Sequence, residues 1–163
     1  MYDEKVLDLI KKFNKELPKF SDSRIDYSNS NIAPIINVFV KFKDEILILK
    51  RSDKVLHYRG KWYSVAGYLD ELKPIKEKIL EELREELGIG EEMISLIHIG
   101  KFYEFKDEKI NQTWLIHPIL VELKEKPTIK LDMEHIEFKW IKPEELKNFD
   151  IVKNLDKSLT YVL

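Results

Sequence analysis

Apolar residues recur at helical spacing near the start, middle and end of this chain, with strand-like runs between. Val6, Leu9, Ile10, Phe13 and Leu17 line one face of a first helix that Pro18 ends. Residues 21–33 are rich in Ser, Asn and Asp and read as a linker. Residues 35–42 and 45–50 are apolar runs joined by Lys43-Asp44, which predicts a hairpin. A polar loop over 52–61 precedes a short strand over 62–66 that leads into Gly67. Ile79, Leu80, Leu83 and Leu87 again have helical spacing. Pro74 suits the first helical position, where its missing N–H costs nothing, and Gly88 is a natural stop. Strands are expected over 95–105 and 113–123 around a turn, and a shorter one over 136–141. A short helical segment over 143–147 follows, and Ile151, Val152, Leu155, Leu159 and Val162 outline a final helix. The order helix, strands, helix, strands, helix predicts an α/β fold, a mixed sheet covered by helices.

Composition narrows the class. The 163 residues suit one domain with a real core. It divides into an N-terminal helix and linker (1–33), a core (34–147) and a C-terminal helix (148–163). The net charge of −2 gives no electrostatic case for nucleic acid. The chain has no Cys, which excludes disulfides, thiolate catalysis and Cys-based zinc sites. No apolar run is long enough to span a membrane, and the N-terminus has no secretion-type apolar segment. A soluble, cytoplasmic protein is the expectation.

The middle helix carries the candidate chemistry. At about 100° per residue, Glu82, Glu85 and Glu86 fall in one sector beside the apolar stripe. Like charges one turn apart repel by a few tenths of a kcal/mol, so the cluster needs a reason. A hard cation such as Mg2+ is one, because it prefers oxygen ligands. A solvated glutamate-rich face is the plainer reading, and Lys78, one turn before Glu82, can pair with it.

The surrounding residues decide between the two. The stretch 67–89 resembles the Nudix box, a pattern of Gly, five residues, Glu, seven residues, Arg-Glu, an apolar residue, any residue, Glu-Glu, any residue, Gly and an apolar residue. Gly67, Glu82, Leu83, Glu85, Glu86, Gly88 and Ile89 stand on its fixed places. Lys73 stands where that family has Glu, and Glu81 where it has Arg. The resemblance extends to the run ending in Arg51, to residues 58–67 and to residues 134–146. It implies an α/β/α sandwich with a mixed sheet, here with extra N- and C-terminal helices.

The resemblance also implies a function. Family members hydrolyse a pyrophosphate bond in a nucleoside diphosphate derivative, assisted by Mg2+ or Mn2+. By resemblance the metal ligands are Glu82, Glu85, Glu86 and the Gly67 carbonyl, with Glu82 and Glu86 catalytic. Glu82 is the first candidate for the general base, and Glu134 or Glu137 on a later loop the alternative. Arg51 and Arg59 are candidates for phosphate contact, and Trp62, Tyr58 or Tyr68 for stacking on a base. His135, beside Glu134, is a candidate proton carrier, though a lone His before a strand is more often a surface or a hydrogen-bonded residue. The two departures from the box are complementary in charge, so Lys73 and Glu81 are expected to pair. The competing reading is a catalytically weak or inactive nucleotide-binding or regulatory module on the same fold. An isoprenyl diphosphate isomerase ranks low, since the common type uses a Cys. A homodimer through the terminal helices is left open.

Overall fold

The computed structural model describes residues 2–163. Helix α1 (Tyr2–Glu16) precedes β1 (Ile32–Phe42), β2 (Glu45–Arg51), β3 (Trp62–Tyr63) and β4 (Val65–Tyr68). Helix α2 (Ile75–Leu87) leads to β5 (Ile94–Ile99), β6 (Tyr103–Asp107), β7 (Gln112–Leu123), β8 (His135–Ile141) and α3 (Leu155–Thr160). The eight strands form one mixed sheet built outward from β1 and β7, which run parallel from Ile32 opposite Thr113 to Lys41 opposite Glu122. Both are buried along almost their whole length, as strands covered on both faces must be.

Each long strand changes its antiparallel partner part-way. The other edge of β1 pairs with β4 at residues 35–38 and with β2 at Lys41 and Phe42. The other edge of β7 pairs with β6 up to Ile116 and with β5 from Ile119. Pro118 falls in that gap, where a residue without an N–H leaves no ladder bond unmade, and its carbonyl accepts from Gly100 N–H at 2.8 Å. This change of partner splits the single strand expected over 95–105 into β5 and β6. Gly100 sits at the break because a side chain there would meet Val162 and the Tyr161 carbonyl. The strand expected over 62–66 divides for the same reason. β3 joins β2 and β4 joins β1, with Ser64 between them.

One core lies between the sheet and the helices α1 and α2, and includes Ile10, Phe13, Ile79 and Leu83. The other lies under a 3-10 turn (Pro143–Asn148) and α3, and includes Phe39, Trp62, Leu146 and Leu159. The architecture is the expected α/β/α sandwich. The hairpin forms as expected, with Lys43 at φ 54 in the tight turn. Pro74 caps α2 from just outside (φ −55, ψ 143) rather than opening it, and Gly88 stops it at φ 71. The final helix expected over 148–163 shrinks to α3. Ile151 and Val152 instead lie alongside Trp62, whose carbonyl accepts from Val152 N–H at 2.9 Å, and Asn154 at φ 70 turns the chain.

Residues 21–33, expected as a linker, contain no helix but fold back on the core. Ile25 and Tyr27 are buried there.

Candidate functional site

Helix α2 buries Ile75, Lys78, Ile79, Glu82, Leu83, Glu86 and Leu87. These advance by three and four residues, so one stripe of the helix is covered. Glu82 and Glu86 lie inside that stripe, not beside it as expected, and Glu85 is exposed. Strand β4 brings Gly67 against Glu82 so closely that a Cβ there would stand 2.5 Å from Glu82 Oε1. Only glycine lets the strand and the carboxylate approach in this way.

Most of the charges here have partners. Lys78 is 3% exposed, with Nζ 2.9 Å from Glu82 Oε1, 3.2 Å from Asp70 Oδ1 and 3.5 Å from Glu81 Oε2. Burial pulls its pKa down, but Glu82 and Asp70 more than restore it, so the ammonium stays charged. The expected pair is present, with Lys73 Nζ 2.7 Å from Glu81 Oε2. It belongs to a larger cluster, because Arg24 Nη2 lies 2.8 Å from Glu81 Oε1 and both cations reach Glu71 at 3.3 Å. Burial alone would raise the Glu81 pKa, and Lys73, Lys78 and Arg24 hold it below the usual carboxylate range.

Glu86 is different. Its Oε1 lies 3.5 Å from His135 Nε2, and its Oε2 has no hydrogen-bond partner among the described residues. Burial, then the nearby Glu82, then Glu134 and Asp132 push its carboxyl well above the ordinary range. His135 is buried and its Nδ1 lies 2.9 Å from Asp132 Oδ1. Burial lowers its pKa more than Asp132 raises it. His135 is therefore not a surface residue, and of the plain readings it is the hydrogen-bonded one that the structure shows. Among the described residues no three acidic or imidazole groups already converge as a cage for an ion.

A cleft of about 480 Å³ opens over Gly67, Glu82 and Glu85. Arg51 and Glu134 line it as expected, with Tyr58 and Tyr68. Arg51 is held there by donating from Nε to the His57 carbonyl at 3.1 Å and by lying over the Tyr63 ring. Four expected residues are not in the lining, the first being Glu86, which is buried on α2. Arg59 is exposed and bonds to the Val55 carbonyl at 2.7 Å. Trp62 is buried in the second core, edge-on to Phe149 at 5.4 Å. Glu137 is exposed on β8 opposite Lys50, so of the two later acids only Glu134 reaches the cleft.

The cleft also holds residues that the sequence reading missed. Trp114 stands 6.2 Å from Tyr68 and 6.1 Å from His57, where Trp62 was expected. Its Nε1 donates to Tyr58 Oη at 3.1 Å, and that hydroxyl donates to the buried Asp107 at 2.8 Å. Tyr58 itself has φ 60, a strained value for a bulky residue. Arg24 and Lys153 reach the cleft from segments with no motif. Lys78, by contrast, was offered by the sequence as a partner of Glu82, and it takes that role.

Residues 32–162 match the family model of the NUDIX domain. The nucleoside triphosphatase NudI of Klebsiella pneumoniae (strain 342) is 27% identical over 103 residues, which are 58% of this chain and 70% of that protein. The 8-oxo-dGDP phosphatase NUDT18 of Danio rerio is 27% identical over 138 residues, 80% of this chain but only 39% of that longer protein. A crystal structure of a C. elegans Ap4A hydrolase superimposes with a TM-score of 0.65 at 18% identity, covering 79% of this chain and 93% of its own, a likeness of fold. The domain model takes in the whole sheet, the acidic helix and the loop that carries Glu134, and the chain belongs to the NUDIX domain family.

Proposed function

We propose that this chain hydrolyses a pyrophosphate bond in a nucleoside diphosphate derivative, with Mg2+ or Mn2+ held by Glu82, Glu85 and Glu86 and the Gly67 carbonyl as a further ligand. The observation that carries this reading is the buried Glu86, set so close to Glu82 that burial and then a hydrogen bond and charge from Glu82 push its carboxyl pKa well up. A buried carboxylate in that condition is costly unless a cation completes it. Oxygen donors on one helix face fit a hard divalent ion that keeps waters and substrate phosphates as its other ligands. Such an ion, when bound, neutralises phosphate charge and lowers the pKa of a bound water.

The protein's own groups supply the rest. Glu134 is the preferred proton acceptor, because it is exposed to the cleft that it lines, and partial burial and then Asp132 raise its carboxyl pKa, which makes it a better base. Glu82 is tied to Lys78 and is less free to serve. Arg51, already fixed at the cleft wall, meets substrate phosphates. Tyr68 and Trp114 offer faces to a nucleobase. The named relatives act on a nucleoside triphosphate, 8-oxo-dGDP and Ap4A, all nucleosides carrying linked phosphates, which agrees with a cleft of cations and rings. A non-catalytic nucleotide-binding module is the second reading, favoured by Lys78 occupying one Glu82 oxygen.

The test is to assay wild type and Glu86→Gln against a panel of nucleoside diphosphate derivatives with and without Mg2+. Metal-dependent turnover that collapses in the variant is expected. Nucleotide binding without turnover on any compound overturns the hydrolase in favour of the second reading.

A further inference from the structure

The NUDIX match begins at residue 32, but the charge cluster around the acidic helix does not. It includes Arg24, from the segment ahead of β1, and that segment is fastened to the loop between Gly67 and α2. Ile25 N–H donates to the Asp70 carbonyl at 2.9 Å, and Tyr27 Oη donates to the Leu69 carbonyl at 2.6 Å. The Tyr27 ring stacks on Tyr68 with centroids 5.3 Å apart. Arg24 then reaches Glu81 through Nη2 at 2.8 Å and Glu71 through Nε at 3.3 Å, a forked contact that lysine cannot make in full.

What this contact does follows from the competition for Lys78. One ammonium faces three carboxylates, with Glu82 at 2.9 Å, Asp70 at 3.2 Å and Glu81 at 3.5 Å. Glu81 is the farthest, and it is the one whose two oxygens are already taken, Oε1 by Arg24 and Oε2 by Lys73. Without Arg24, Oε1 keeps its charge and its partial burial but loses its cation. Lys78 is then the nearest available replacement, and any movement toward Glu81 loosens its hold on Glu82. Glu82 is in turn packed against Gly67, so a small shift misaligns it.

We propose that Arg24 is a positioning residue of this site. By neutralising Glu81 it leaves Lys78 to fix Glu82, so the segment ahead of the matched domain sets the acidic helix for its divalent cation. The inference rests on the reading of Glu82, Glu85 and Glu86 as that cation's ligands.

The experiment is calorimetric titration of Mn2+ into the full chain without nucleotide, for wild type, Arg24→Met, Glu81→Gln and the double variant, with a thermal melt to confirm folding. Arg24→Met is expected to weaken Mn2+ binding about 10-fold, in the range for groups that orient metal ligands. In the Glu81→Gln background the same change is expected to cost nothing further, because the neutral amide does not compete for Lys78. If Arg24→Met does not fold, Arg24→Lys is read the same way, with a smaller loss that again vanishes beside Glu81→Gln. Unchanged Mn2+ affinity or an equal loss in both backgrounds overturns the proposal. A wild type that binds no Mn2+ overturns the metal reading and this inference with it. A wild type that binds while the Arg24 variants are indifferent overturns this inference alone.

Discussion

Under the proposed function, Glu86 is kept in a setting that suits a bound cation better than the protein without one. Replacing it by Gln removes a buried charge beside Glu82 and leaves the shape almost unchanged. We expect Glu86→Gln to raise the stability of the metal-free protein by about 1 kcal/mol, read from a thermal melt, and to abolish turnover. Gly67→Ala is expected to do the opposite kind of damage. Its Cβ would press on Glu82 and push it off the buried Lys78, so turnover should fall on the order of 10–100-fold and the melting temperature should drop. The Lys73 and Glu81 exchange looked self-contained in the sequence, where restoring both family residues should restore function. With Arg24 and Lys78 also on Glu81, the double change Lys73→Glu, Glu81→Arg sets an arginine against two cations. Recovery of activity over Lys73→Glu alone should be slight, and full recovery would show that Arg24 and Lys78 matter little.

Helices and strands were legible to the degree that their causes are local. The spacing of Ile79, Leu83 and Leu87 and the stop at Gly88 fix α2, because periodicity and a left-handed cap act within a few residues. Trp62 was misplaced because β3 is two residues long, and its direction depends on β2 and on the returning Asp150–Val152 segment. Arg24 was invisible because Glu81 lies 57 residues further on. The same dependence on distant partners appears at His117, beside the Pro118 gap in β7. Burial holds its pKa down to about 4. Its folded value is depressed, so its contribution to stability is complete above about 6.5 and is lost as pH falls toward 4. The loss is roughly 3 kcal/mol at most. A series of melts between those pH values should show it, and His117→Gln should flatten that part of the curve.

The domain taken together is a sandwich whose outline the order of elements already implied, since layers follow from which faces must be covered. The family's acidic helix was legible too, because seven of its fixed places are occupied. The cleft's lining was legible only in part: Arg51, Tyr58, Tyr68 and Glu134 were named, but Trp114, Arg24 and Lys153 were not, because they come from distant segments with no motif. If the cation binds only the folded form, Mn2+ at a hundred times its dissociation constant should add about 2.7 kcal/mol to stability and raise the melting temperature with concentration. Glu85→Gln should blunt that rise. The parallel pairing of β1 with β7 has a bearing on how this site comes into being. Ile32 meets Thr113, so the acidic helix lies within the long loop that this pairing closes. Glu134 and His135 follow β7 in the chain. Contacts between such distant segments form slowly, because the loop must close before they repay its entropy. On a growing chain the carboxylates proposed as metal ligands emerge well before the strand and loop that complete their surroundings. Affinity for the cation should therefore appear with the last kinetic phase of folding, and Mn2+ should slow unfolding while leaving the early collapse untouched.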